Sequence, residues 1–246
     1  MSKIIDVIKL FTLWIGYVFN HNRKSKVLYY HDVSTVYTDM GTPLELIQKH
    51  IYCIRQRGFN IVKNIDKPEN QIMIAFDDGW KGLYDHRDFF IKENIYPTIF
   101  IAVDLIGKEG YMTKENIVEM YQLGFLFESH TWSHTGLPGH VGADLKHETE
   151  GAKSFLENTF GHPFRAICYP QGLFSKEVID ACTKAGYDLM YSSISGNYDD
   201  YIEHHIVCRN LVQYIPVNQI KYIIEGSSTI IKRRNIKRHF TGVWSF

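Results

Sequence analysis

Three short stretches of the chain gather side chains that can do chemistry. YYHD stands at 29–32, IAFDDG at 74–79 and ESHTWSH at 128–134, and each follows or ends a short apolar run. His130 and His134 are four residues apart, so on a helical turn their rings would share one face and converge on a single ion. Taken alone, the pair says little in a chain with twelve histidines. Asp77 and Asp78 are adjacent carboxylates after an apolar run, an arrangement that is costly unless something positive lies beside them. Alone, they would be a polar turn opening a helix, with one Asp as its N-cap. Combined, the groups form a familiar set: two neutral imidazoles and one carboxylate as metal ligands, with an open position for water. A metal there lowers the pKa of that water and polarises a bound carbonyl. The spare aspartate can then act as general base, and a histidine from elsewhere can protonate a leaving amine. His31, at the mouth of the first strand, is the candidate acid.

The elements that must position these groups alternate. Apolar runs at 27–30, 60–62, 72–76, 98–103, 125–127, 166–169, 189–192 and 206–208 predict strands. Amphipathic stretches at 44–57, 85–93, 114–123, 145–159, 175–185 and 217–225 predict helices. Gly58, Gly124, Gly161 and Gly186 sit where a helix ends on a left-handed residue. Alternation of this kind implies a mostly parallel sheet with crossover helices, as a (β/α) barrel or an open doubly wound sheet. Both place active groups at the carboxyl ends of the strands, where the three motifs lie.

With 45% apolar residues among 246, a single core over 27–229 is readily built. The four cysteines are scattered, with no disulfide or CxxC pattern. Net charge is zero but uneven. Residues 1–26 carry Lys3, Lys9, Arg23, Lys24 and Lys26 against Asp6, and residues 230–246 carry five basic residues and no acid. The body between is therefore acidic, which argues against a nucleic-acid partner. Residues 10–19 are apolar, too short a run to span a bilayer and followed by basic residues rather than by a cleavage site. Basic, partly apolar ends predict a cytoplasmic location with peripheral association at the cytoplasmic face of an anionic membrane; packing of both ends on the domain, leaving a freely soluble cytoplasmic protein, is the alternative.

On these motifs the chain resembles the polysaccharide deacetylase (NodB-homology) family of carbohydrate esterases, from about residue 27 to 211. FDDG at 76–79 matches the motif whose first Asp is the base and whose second binds metal, which implies those roles for Asp77 and Asp78. SHTWSH at 129–134 matches H[ST]xxH and implies His130 and His134 as the remaining ligands. CYPQG at 168–172 is similar to the YPYG motif, which implies that Tyr169 and Gln171, with Trp132, line the groove and its oxyanion site. The histidine motif precedes the aspartate motif, as in the poly-N-acetylglucosamine deacetylase-like subgroup, which implies His31 as the acid. Arg209 is similar in placement to an arginine that orients the base; Arg165 is the competitor. The resemblance implies a distorted α/β barrel, one divalent ion (zinc first, with cobalt, nickel or iron open) and an N-acetylated glycan as partner. Three departures bear on substrate range: Gln171 replaces a Tyr, Trp80 stands where Pro or Tyr is usual, and Glu128 occupies a position that is usually small.

Two other classes of function share these residues. A catalytically silent carbohydrate-binding protein would keep the barrel but would have no need of Asp77. A metal-dependent amidase on a non-carbohydrate amide would keep every ligand, because carbonyl activation does not specify the acyl partner.

Overall fold

The computed structural model describes residues 2–200, 206–227 and 232–240. Its strands are β1 (Lys26–Tyr30), β2 (Asp32–Ser34), β3 (Gly41–Pro43), β4 (Asn60–Val62), β5 (Gln71–Phe76), β6 (Thr98–Ile101), β7 (Leu126–Ser129), β8 (Ala166–Cys168), β9 (Leu189–Tyr191), β10 (Ile206–Val207) and β11 (Arg209–Leu211). The main sheet runs β10-β9-β8-β7-β6-β5-β1-β11, with β4 beside β5, and every pairing in it is parallel. β10 and β11 are separated only by Cys208. One stretch therefore pairs first with β9 and then with β1, and this joins the two ends of the sheet into a distorted barrel. β4 covers the first half of β5 and β6 the second, so the neighbour of β5 changes along its length. β5 is buried throughout, as a parallel strand flanked on both faces must be.

Side chains alternate between the barrel interior and the outer layer. Val27, Tyr29, Met73, Ala75, Phe100, Ala166, Cys168, Tyr191 and Val207 cluster on the interior. Leu28, Tyr30, Ile72, Ile74 and Phe76 face the other way, into a core shared with Ile47, Ile51 and Ile54 of the helix Leu44–Gln56. That helix ends at Gly58, whose φ of 75° is the left-handed value a helix terminator needs. At the amino-terminal end of the strands a cavity of about 490 Å³ is lined by Met73, Thr98, Glu128, Ala166 and Tyr191, among others. The motif residues lie at the opposite end.

The mostly parallel barrel expected from the sequence is what the chain forms, with local differences. β2, β3 and β11 are short strands of sequence DVS, GTP and RNL, which carry no apolar run to mark them. The helix expected over 85–93 is two, Lys81–Asp85 and Arg87–Lys92, broken at His86. The helix expected over 145–159 begins at Gly142 and contains a π-helical turn, His147–Gly151.

At the amino end, the helix Ser2–Phe19 packs on the helix Val217–Ile224, with Tyr17 edge-on to Tyr222 at 5.3 Å. Gly16 permits the approach: a Cβ there would lie 2.8 Å from Ser227 Cα. The basic residues that follow are engaged by the body. Arg23 lies over the Phe59 ring, Lys24 pairs with Asp199 at 3.1 Å, and Lys26 is buried. Near the carboxyl end, the helix Lys232–His239 buries Ile236 against the second core cluster, as Phe240 does just after it. Residues 230, 231 and 241–246 of the basic stretch lie outside the described residues.

Candidate metal centre and active site

β5 delivers the two aspartates. The Asp77 N–H donates to Tyr30 O at 3.0 Å, which continues the β1–β5 pairing one residue further. The chain then turns through two left-handed residues, Asp78 (φ 69°) and Gly79 (φ 76°). A Cβ on Gly79 would stand 2.9 Å from Ile101 Cγ2, so only glycine fits this crossing. The turn separates the carboxylates: Asp77 points to Arg209, and Asp78 to the two histidines.

The histidines leave β7 on a loop, not on the helical turn their spacing suggests. Thr131 (φ 70°) and His134 (φ 61°) are left-handed, and the segment has no helical bonding. Convergence is imposed from outside instead. His130 N–H donates to Ile101 O at 2.8 Å and Asp104 N–H to Trp132 O at 2.9 Å. Glu148, buried in the π-helical turn, accepts from Trp132 N–H at 3.1 Å and Ser133 N–H at 3.0 Å.

Three acceptor atoms meet here. His134 Nε2 is 2.9 Å and His130 Nε2 3.3 Å from Asp78 Oδ1. His130 Nδ1 lies 2.7 Å from Cys168 O, an acceptor only, so this nitrogen carries a proton, and in the neutral ring Nε2 turns its lone pair toward Asp78. Asp78 Oδ1 is buried without a hydrogen-bond donor. Burial raises the Asp78 carboxyl, but hydrogen bonds and charge from the two imidazoles in their protonated form outweigh it and hold the group well below the usual carboxylate range. A buried oxygen without a donor, facing two ring nitrogens, fits a divalent cation of the kind two His and one Asp bind. Asp77, His130 and Cys168 also lie close together. That set suits a metal poorly, since both Asp77 oxygens are taken by Arg209 and burial pushes the Cys168 thiol far up, keeping it protonated.

Arg209 enters from β11 into the barrel interior, fully buried, with its guanidinium 4.1 Å from the Tyr29 ring and Nε donating to Ser192 O at 3.0 Å. It grips Asp77 with two parallel bonds, Nη1 to Oδ1 at 2.6 Å and Nη2 to Oδ2 at 2.8 Å. Burial pushes the Asp77 carboxyl up; the charge and bonds of Arg209 outweigh this and leave it below its ordinary value. Arg165, the competitor, is exposed just before β8, at the far end of the barrel. His31 follows β1 directly, in the row beside Asp77, and its Nδ1 lies 2.6 Å from Gln213 Oε1. The Gln213 amide nitrogen donates to Asp39 O at 3.4 Å, which turns Oε1 toward the ring. His31 Nδ1 therefore carries a proton, and Nε2 is the atom left for chemistry.

The residues expected to line the groove divide. Gln171 is exposed in a left-handed conformation (φ 57°), with its side chain near Gly136 of the histidine loop. Tyr169 is a correction: its ring is buried on Phe174, its hydroxyl donates to Met190 Sδ, and its N–H is spent on Tyr191 O, so it offers nothing to a ligand. The Trp132 ring packs on His147 at 4.1 Å and on Phe155, and anchors the loop. Glu128 does not reach the ligands; it faces the barrel interior beside Phe100 and accepts from Ala166 N–H at 2.8 Å. Gln213, Glu148 and the indole N–H of Trp80, 3.1 Å from Asp78 Oδ2, complete the site without belonging to any ligand motif.

The chain is similar to known polysaccharide deacetylases. The family profile described as polysaccharide deacetylase matches residues 64–190. The chain is 28% identical over 177 residues to the Bacillus subtilis protein YxkH, named for the same family, a match covering 68% of this chain and 63% of that one. It is 26% identical over 162 residues to the poly-β-1,6-N-acetyl-D-glucosamine N-deacetylase of Staphylococcus epidermidis, covering 58% of this chain and 56% of that one. The chain thus spans under two thirds of the length of both relatives. In fold it is similar to the Streptococcus pyogenes deacetylase PplD (TM-score 0.74, 16% identity, 82% of this chain and 98% of that one) and to IcaB from Ammonifex degensii (0.72, 19%, 83% and 98%). With the profile matching more than half of the chain, and a parallel barrel that carries its aspartate and histidine motifs to one end, this protein belongs to the polysaccharide deacetylase family.

Proposed function

We propose that the protein is a metal-dependent deacetylase that hydrolyses N-acetyl groups of amino sugars in a polysaccharide or oligosaccharide. The observation that carries this reading is the parting of two adjacent aspartates, Asp78 onto two imidazoles and Asp77 onto a buried guanidinium. A divalent ion held by Asp78, His130 and His134 would polarise the acetyl carbonyl and acidify a water. Asp77 accepts the proton of the attacking water, and Arg209 keeps it ionised and fixed in direction. His31, held at Nδ1 by Gln213, passes a proton from Nε2 to the amine as the C–N bond breaks. Nitrogen and carboxylate ligands suit zinc first, and also cobalt, nickel or iron.

A binding protein without activity would have no use for a carboxylate paired at such depth. The names of both relatives favour a polysaccharide over a non-carbohydrate amide, and that of the Staphylococcus epidermidis protein favours an N-acetylglucosamine polymer. The test is acetate release by zinc- or cobalt-loaded protein from a panel of N-acetylglucosamine oligomers. Metal bound at one ion per chain with no acetate from any of them would remove the reading.

We also propose peripheral membrane association through the helix Ser2–Phe19. Phe11, Trp14 and Val18 are exposed on it, with Phe11 and Trp14 stacked at 5.9 Å, while no helix among the described residues is long and apolar enough to cross a membrane. Because Arg23, Lys24 and Lys26 are engaged by the body, apolar contact rather than charge would dominate. Sedimentation with anionic vesicles should therefore survive high salt and disappear when Phe11 and Trp14 are changed to Ser.

A further inference from the structure

The two oxygens of Asp78 are not equivalent. Oδ1 faces His130 and His134, and Oδ2 is 3.1 Å from Trp80 Nε1. An indole N–H only donates, so the bond has one direction and cannot be shared with the imidazoles. The ring that makes it is clamped. Trp80 stacks on Tyr111 with centroids 4.3 Å apart and planes 30° from parallel. The backbones of the two residues form an isolated bridge, flanked by Lys81 N–H to Gly110 O at 2.9 Å and Met112 N–H to Gly79 O at 2.9 Å. Gly110, at φ 85°, lies against the indole edge, where a Cβ would stand in ordinary contact at 3.5 Å. Asp78 itself holds a left-handed backbone, a state that a non-glycine residue keeps only when its surroundings impose it.

We infer that Trp80 is a positioning residue of the metal centre: its N–H retains one oxygen of Asp78, so that the carboxylate meets the ion through the other oxygen alone. This rests on the metal reading above. A carboxylate free to rotate would close on the ion with both oxygens and take up a coordination position that water or substrate needs. Held by the indole, it keeps that position open. The Trp80–Tyr111 pair thereby ties the 103–113 segment to the ligand turn, and a change at Tyr111 should be felt at the ion.

The test is Co²⁺ binding by calorimetry, with visible absorption of the bound ion as the reporter of its coordination number, on wild type, Trp80→Phe, Tyr111→Phe and Tyr111→Ala. Trp80→Phe keeps the ring and loses the N–H. Its dissociation constant should rise about 10- to 100-fold, the usual cost of losing a partner that holds a metal ligand, and the absorption should weaken as coordination increases. Tyr111→Phe keeps the stack and should match wild type. Tyr111→Ala frees the indole and should weaken binding by a smaller factor in the same direction, which serves as the reading if Trp80→Phe does not melt cooperatively without metal. Wild type that binds no Co²⁺ would overturn the metal reading itself. Wild type that binds, with the folded Trp80→Phe protein matching it in affinity and spectrum, would overturn the role of Trp80 alone.

Discussion

Asp77 and Arg209 stand 132 positions apart in sequence and meet inside the barrel through two parallel hydrogen bonds of 2.6 and 2.8 Å. Neither could be buried alone, since an uncompensated charge at this depth costs several kcal/mol. Asp77→Asn leaves Arg209 without its counter-charge and should lower stability; on the proposed mechanism it should still retain metal at Asp78, His130 and His134 yet lose acetate release, because the carboxylate would act on water and not on the ion. Arg209→Leu should do more harm, with the buried Asp77 left unpaired: lost turnover and a stability loss of about 3–5 kcal/mol. Restoration of that stability in the Asp77→Asn/Arg209→Leu double variant is the check. A double variant no more stable than Arg209→Leu would mean that the pair is not the source of the loss.

His31 depends on Gln213 for its tautomer. His31→Ala should leave metal content unchanged and slow turnover on the order of 10²-fold or more. Gln213→Leu removes the acceptor at Nδ1 while keeping the volume, and should lower kcat about tenfold with KM nearly constant, since ring orientation matters in the transition state more than in the bound state. Metal analysis beside steady-state kinetics checks both. A change in KM alone for Gln213→Leu would assign Gln213 to substrate binding instead.

The residues that converge at the candidate site were legible because each occupies a contiguous motif at a strand end, where a parallel barrel must place its chemistry. Asp77, Asp78, His130, His134 and His31 all follow that rule. The groups that orient them were not legible, because only tertiary folding brings them near. Gln213 reaches His31 across 182 positions, and Glu148 reaches the histidine loop from a π-helical turn that leaves no periodic mark. The spacing of His130 and His134 suggested the correct convergence for the wrong reason: the segment is a loop with two left-handed residues, held by external bonds. Tyr169 misled in the opposite way, since a motif position does not disclose that its ring and N–H are both spent on the core.

Glu148 is where that external hold can be measured. Its buried carboxylate satisfies the N–H groups of Trp132 and Ser133, between His130 and His134. Glu148→Ala strands both donors, which should cost about 1–3 kcal/mol of stability and loosen the loop, weakening metal binding roughly tenfold. Glu148→Gln keeps an acceptor and should recover most of both. Thermal melts with and without Zn²⁺ separate the two effects. Equal metal affinity in the Ala variant and wild type would show that the loop is preorganised by its other bonds.

Glu128 makes stability depend on pH in a direction opposite to Asp77 and Asp78. It projects into the barrel interior beside Phe100, and burial pushes its carboxyl up to about 7, although the Ala166 N–H bond pulls the other way. An unfolded Glu titrates near 4.3, so between roughly pH 4.3 and 7 the folded protein binds a proton that the unfolded chain has released. Stability therefore falls as pH rises through that window, by on the order of 3 kcal/mol in total, and is constant above it as far as this group is concerned. Glu128→Gln presents a neutral amide with an acceptor for Ala166 N–H and no titration. At pH 8 the variant should melt several degrees above wild type; at pH 4, where Glu128 is protonated in both states, the two should coincide. The measurement is Tm against pH for the two proteins under metal-free conditions, so that the metal centre does not contribute. A gap that stays the same at pH 4 and pH 8 would trace the difference to packing rather than to the buried carboxylate.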